Sequence, residues 1–268
     1  MATLPSTPDT PPLGLSRTAS HVYTWRDEQT VVSEIPSVTT VLRVVDKSGP
    51  LIGWARRTTA ASAVRNLDVL VAMRAEGGPE AAINWLKAVP DYVRDKAADR
   101  GTHVHSLAEQ IVRGGEPEVP EELAGHVNAY RGFLREWSPK FLAVEQMVCS
   151  LTHGYAGTCD AIADIAGERW LLDLKTGNGV YAEAALQLSA YGAAQFAGRP
   201  GDPRRYRLPR APRFGVVHVS SDRAELVPMA VDRSTFATFL RALDLWRWTQ
   251  GPAKTVIGKP ITKEGYAA

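Results

Sequence analysis

Apolar positions along this chain change period near residue 140. Upstream they recur at helical spacing; downstream they alternate or cluster as strands do. A short strand pair over 22–35 (Val22, Tyr23, Trp25, then Val31 and Val32) opens the patterned part. Ser37 and Thr39 mark the start of a helix over 38–45. Helices over 50–75 and 79–89 are separated by Gly77, Gly78 and Pro79. A helical stretch from Asp91 to Val112 closes on Gly114 and Gly115, and a helix over 121–137 follows. Strands are then predicted over 141–150, 155–165 and 169–176, with a helix over 181–197 and an arginine-rich loop over 199–213. Strands over 214–220 and 224–231 and a helix over 233–249 complete the pattern. No internal repeat is present.

This order predicts an α/β (α+β) fold, one central mixed sheet flanked by helices, with an N-terminal helical lobe attached. Residues 1–20, rich in Pro, Ser and Thr and without an apolar stretch, read as a disordered tail rather than a signal peptide. Residues 21–90 are the strand pair and helical lobe, 91–250 the core, and 251–268 a C-terminal tail. The chain's 268 residues are 44% hydrophobic and 22% charged, ordinary for a globular protein. A net charge of +2 excludes a uniformly basic coat but not a local basic groove. The charge is segregated: residues 101–175 carry net −5 and residues 176–268 net +6. Two cysteines, Cys149 and Cys159, are too few for a four-cysteine cluster and fit a reducing, cytoplasmic setting. No apolar run is long enough to span a bilayer, so no membrane partner is expected.

The segment with most chemistry is Gly157-Thr-Cys-Asp160 followed by Leu172-Asp173-Leu-Lys175. With Ala166-Gly167 as a hairpin tip, Asp164 pairs Arg169, Ile162 pairs Leu171 and Asp160 faces Asp173. Two facing carboxylates resist joint ionisation unless a cation lies between them. A hard ion such as Mg²⁺ or Mn²⁺ takes such oxygen ligands. Lys175 points to the same face as Asp173 and is suited to hold a water or to balance phosphate charge. The competing reading is an exposed hairpin with solvated acids. On the helix Arg100-Gly-Thr-His-Val-His105-Ser-Leu-Ala-Glu109, His105 offers an imidazole and Glu109 a group to orient it. His103 competes from another face, and a structural histidine is the plainer alternative. Gln187 and Tyr191 share a helical face at i, i+4. Glu145 adds an acid or is merely an exposed strand carboxylate. Arg204, Arg205 and Arg207, with Tyr206 among them, are suited to phosphate clamping and base stacking, or to a solvated loop.

Together these segments resemble the PD-(D/E)XK nuclease superfamily, in its RecB-like exonuclease branch. That branch carries a Gly-Thr-x-x-His helix, a Gly-x-x-Asp strand, an Asp-x-Lys strand and a Gln-x-x-x-Tyr helix. Here they are Gly101-Thr-His-Val-His105, Gly157-Thr-Cys-Asp160, Asp173-Leu-Lys175 and Gln187-Leu-Ser-Ala-Tyr191. The resemblance implies a restriction-endonuclease-like core and a metal, Mg²⁺ or Mn²⁺, on His105, Asp160, Asp173 and the Leu174 carbonyl. It implies Asp160, Asp173 and Lys175 as catalytic, supported by Gln187 and Tyr191. The implied activity is a DNA exonuclease of phage type without an iron–sulfur cluster. It would act on single strands or duplex ends in recombination or DNA processing, in a phage or bacterial host cytoplasm. A structure-specific endonuclease and a nucleic-acid-binding module with a decayed site are the alternatives. No phosphate-loop motif is present, so a helicase or recombinase would be a separate chain.

Overall fold

The computed structural model describes residues 11–260. Its centre is a seven-stranded sheet in the order β10-β9-β6-β5-β4-β7-β8. The strands are β4 (Lys140–Ser150), β5 (Tyr155–Ile165), β6 (Glu168–Lys175), β7 (Phe196–Arg199), β8 (Asp202–Tyr206), β9 (Arg213–Val219) and β10 (Ala224–Pro228). Every neighbouring pair is antiparallel except β6 with β9. A parallel pair needs a crossover, and the chain makes it through α5 (Glu183–Gly192) and the β7–β8 hairpin. The fold is therefore mixed α/β, as the pattern predicts.

Helices cover both faces. On one lie α1 (Val38–Val41), α5 and α6 (Arg233–Gln250), around Ile162, Leu171, Leu188, Val216 and Phe239. On the other lie the end of α3 (Leu67–Val112) and α4 (Ala124–Trp137), around Ala108, Phe133, Leu172 and Val217. The Ser37 side chain accepts the Thr40 N–H (3.0 Å) and starts α1 as a cap. Asp232 starts α6 with a full capping box.

Four expectations need correction. The strand pair is a three-stranded sheet, β1 (Gly14–Arg17), β2 (Val22–Arg26) and β3 (Val31–Pro36). Strand β1 lies inside the expected tail because Leu15 is fully buried against Trp25 and Phe196. It also bridges to the β7–β8 turn at Pro200. Residues 1–10 and 261–268 of the expected tails lie outside the described residues. Second, the helix over 50–75 breaks at Asn66, separating α2 (Ser48–Arg65) from α3. The expected break does occur at Gly78 (φ 72°), where glycine tolerates a positive φ. Pro90, however, ends nothing, so the boundary at residue 90 falls inside a continuous helix. Third, α5 stops at Gly192, where the chain turns to start β7 at Phe196. A Cβ at Gly192 would lie 2.9 Å from the Phe214 ring. Fourth, much of the arginine-rich loop is the β7–β8 hairpin.

From Ser48 to His103 no residue is buried. The lobe is an arm standing off the core, with Trp54 and Trp85 only half-buried on it. No helix among the described residues is long and apolar enough to cross a membrane.

Candidate functional site

The β5–β6 ladder runs as expected from Ile165 opposite Glu168 to Ala161 opposite Leu172, with Arg169 and Asp164 paired at 2.8 Å. There it stops. Strand β5 continues on β4 as far as Tyr155, and β6 continues on β9 as far as Lys175. The expected cross-strand pair of Asp160 and Asp173 is therefore not a ladder pair. The strands part at that point because each follows a different neighbour. The Leu174 N–H, left without a ladder partner on that side, donates to Asp160 Oδ2 (2.6 Å). Asp160 thus spans the split.

Around Asp160 the split gathers His105 from α3 and Glu145 from β4. One ligand atom from each of these three lies within 4.8 Å of the others, and His105 Nδ1 is 3.7 Å from Asp160 Oδ2. Glu145 sits between the pairs Val144–Ala161 and Gln146–Cys159, and its φ of 49° sets it apart from ordinary strand geometry. Burial, Asp160 and Glu109 together push its carboxyl up to about 7. Glu145 is thus a cleft residue and not an exposed strand carboxylate. The cleft holds about 40 Å³, room for an ion and a water or two at roughly 10–15 Å³ each. Glu109 lines the same cleft, but its carboxylate pairs with Arg113 (2.9 Å) and not with His105, so the expected orienting role is corrected. Glu109 is one helical turn from both residues, and the guanidinium is the stronger partner. His103 is exposed on another face.

Asp173 lies beside this group, lining the cleft while only 1% exposed. Lys175 Nζ is 3.0 Å from its Oδ1 and 2.8 Å from its Oδ2. Gln187 Nε2 donates to Asp173 Oδ1 (2.8 Å) and to the Tyr191 hydroxyl (3.2 Å). The Lys175 ammonium also reaches Gln187 Oε1 (3.4 Å). Burial and the Asp160 charge push the Asp173 carboxyl up, while Lys175 and Gln187 oppose that shift. The Asp173 Oδ2 atom is buried and accepts no well-directed hydrogen bond. Gly157 is explained by Tyr191, since a Cβ there would stand 2.4 Å from its ring. At Gly101 a Cβ would stand 3.2 Å from Thr176 Oγ1, so α3 lies close to the end of β6.

The expected nucleic-acid residues lie elsewhere. Arg204 pairs with Asp202 (2.9 Å), and the Tyr206 hydroxyl donates to the same carboxylate. Arg205 lies over Trp25 and Phe196 (5.0 and 5.2 Å) and reaches Asp27 at 3.4 Å. Arg207 follows the hairpin in coil. Strand β8 is the sheet edge, three strands from β5, about 14 Å at the usual strand spacing. One residue escaped the sequence reading: Tyr130 of α4 lines the cleft, and burial and Asp160 raise its hydroxyl's pKa. Its place in an amphipathic helix offers no signal beyond core packing.

The residues present fit a divalent cation. The carboxylates of Glu145, Asp160 and Asp173 and the His105 imidazole face one small cleft, and burial and mutual crowding force two of these acids, Glu145 and Asp173, towards their neutral forms. A nitrogen among oxygens suits Mn²⁺ as well as Mg²⁺. Compared with models of known protein families and with curated proteins, the sequence has no match.

Proposed function

We propose that this chain is a metal-dependent nuclease of the PD-(D/E)XK type that hydrolyses DNA phosphodiester bonds from an end. The observation that carries this reading is the β5–β6 split, where Asp160 and Asp173 share a cleft with His105 and Glu145 while Lys175 stands at Asp173. His105, Glu145 and Asp160 would hold the ion, with Asp173 and the Leu174 carbonyl beside them. Once bound, the ion supplies positive charge to the phosphate oxygens. Lys175 holds the attacking water and lends its charge to the developing phosphorane. Gln187, braced by Tyr191, keeps the Asp173 carboxylate and the Lys175 ammonium in register. Water adds to phosphorus, the bridging P–O bond breaks, and a phosphate monoester and a hydroxyl end are left. A separate helicase or recombinase chain would supply or take up the strand.

The test is incubation of the purified chain with Mg²⁺ or Mn²⁺ and end-labelled linear or closed circular DNA, single- and double-stranded. Lys175→Ala and EDTA are the controls. Loss of linear DNA alone, abolished by both controls, is expected. Cutting of circles would make it an endonuclease of the same type. Binding without Lys175-dependent cleavage would make it a nucleic-acid-binding module.

A further inference from the structure

The three-stranded sheet meets the seven-stranded one close to the cleft. In β1 and β2, Leu15 lies opposite Trp25 and Arg17 opposite Tyr23. Directly opposed residues, and residues two apart on one strand, share a face, so these four side chains point the same way. That face is turned to the seven-stranded sheet. Leu15, Tyr23 and Trp25 are all but fully buried in one cluster with Cys149, Ala156 and Phe196. Arg17 continues the same face past the end of the packed cluster, and there it is exposed. It differs in this from an ordinary surface arginine, whose face of the strand is solvated throughout.

Tyr23 fixes where that end of the face lies. Its hydroxyl meets Thr158 Oγ1 at 2.8 Å. Thr158 is two residues before Asp160 on β5, so the two side chains share a face of the strand, about 7 Å apart along it. Burial raises the pKa of the Tyr23 hydroxyl, with Glu145 adding to the rise and Arg17 opposing it, so both charges stand near this hydroxyl. Two guanidinium groups act on the Glu145 carboxyl, those of Arg17 and Arg113. Arg113 is already held by Glu109 at 2.9 Å. Arg17 has no carboxylate within ion-pair distance among the described residues. It is therefore a cation beside an acid-lined cleft, open to solvent and not spent on a partner in the fold.

We propose that Arg17 clamps the strand phosphate adjacent to the one held at Asp160, Asp173 and Lys175, with Tyr23 setting the position of the clamp. This rests on the nuclease reading. The guanidinium fork matches two phosphate oxygens. The charge it takes is the same before and during the reaction, so Arg17 holds the strand without serving the bond that breaks.

Two measurements on the full chain test it: cleavage of a single-stranded oligonucleotide, read as KM and kcat, and binding of the same strand in EDTA across a salt series. Arg17→Met should raise KM at least about tenfold, the scale of one charge-assisted contact, with little change in kcat. It should also lower the slope of log K against log salt by about 0.7, the share of one phosphate. Arg17→Lys should restore the slope but only part of the affinity, since it keeps the charge and loses the fork. Neither variant should unfold earlier than wild type, because neither gives up an ion pair within the fold. An uncharged methylphosphonate in place of the phosphate next to the cleaved one should cost the wild type the same factor in KM and Arg17→Met nothing further. If KM and slope are unchanged in Arg17→Met while the chain cleaves DNA, the clamp is overturned and the nuclease reading stands. A fall in kcat alone also overturns it. If wild type binds the strand with an Arg17-dependent slope but cleaves nothing, the phosphate contact stands and the nuclease reading falls. If wild type neither binds nor cleaves, both fall.

Discussion

Asp202 in the β7–β8 hairpin and Asp160 in the cleft are both carboxylates on sheet strands, and their surroundings are opposite. Asp202 accepts from Arg199, Arg204 and Tyr206, and these bonds hold its carboxyl far below the usual carboxylate range. The Tyr206 ring is flanked by the same two guanidinium groups at 4.9 and 5.4 Å. Around Asp160 the balance is reversed: Glu145 and Asp173 crowd it, Lys175 serves Asp173, and two of the three acids are pushed up. Within the richest run of arginines in the sequence, Arg199 and Arg204 thus spend their charge on an acid of their own hairpin, and Arg205 and Arg213 on Asp27 and Glu168. The cleft, with fewer charged residues, retains unspent charge. Arginine density in a sequence therefore points less reliably to a ligand than charge left uncompensated after folding.

The largest effect expected is at the centre of the cleft. Asp160→Asn keeps an oxygen that can accept the Leu174 N–H, so the split strands should hold. It removes one carboxylate charge, and cleavage should fall by at least about a hundredfold, the scale of losing one preorganised charge-stabilising group. Addition of Mn²⁺ should no longer raise the unfolding temperature by ligand linkage. Retained cleavage would mean that the cleft's charge is not what the chemistry uses.

Next comes Gly157→Ala. Its Cβ would meet the Tyr191 ring at 2.4 Å, and that ring braces Gln187. Overpacking of this kind costs about 1–3 kcal/mol, readable by urea unfolding. Cleavage should fall with it, because Gln187 would lose its brace. A variant as stable and active as wild type would show Tyr191 to be packing alone.

Glu145→Gln sharpens the contrast through pH. The folded carboxyl titrates at about 7, above its ordinary 4.5. Below about 4.5 the group is protonated in both states. As pH rises through 7, the folded protein without metal loses the stability that the proton conferred. At about 1.4 kcal/mol per unit, the loss by pH 8 is of order 1–3 kcal/mol. In Glu145→Gln that slope should vanish, and the metal-free variant should unfold later than wild type above pH 7. The metal-dependent rise should shrink at the same time. An unchanged pH slope would show that Glu145 is not among the crowded charges.

How much of this was legible in the sequence depends on what a residue responds to. Strands β4, β5 and β6 came within a residue or two because local alternation dictates them. Their hairpin register followed from Asp164–Arg169 and Ile162–Leu171. The end of the ladder at Ala161 was not legible, since it depends on β4 and β9 pulling the two strands apart. Leu15 sits in a proline-rich stretch and owes its strand to distant Trp25 and Phe196. Pro90 reads as a break, yet the helix passes through it. The gathering of His105 and Asp160 with Asp173, Lys175, Gln187 and Tyr191 could be anticipated only from the resemblance of their four motifs to a known family, which implies it. Glu145 stood undecided, because its cleft-facing position depends on a positive φ in mid-strand.

The smallest effect tests the hairpin directly. If Asp202 truly occupies Arg199 and Arg204, Arg204→Gln should change oligonucleotide affinity less than about twofold, because a surface charge already paired contributes little. Asp202→Asn should do the opposite. It keeps the side-chain shape but drops the charge, leaving both guanidinium groups free for phosphate. Each new phosphate contact should steepen the slope of log K against log salt by about 0.7 for a single strand, so the variant should bind more tightly at low salt and lose that gain as salt rises. A tenfold loss in Arg204→Gln would instead make the hairpin a nucleic-acid contact despite its internal partners. The comparison would then fail, because charge already compensated within the fold would also be charge in use.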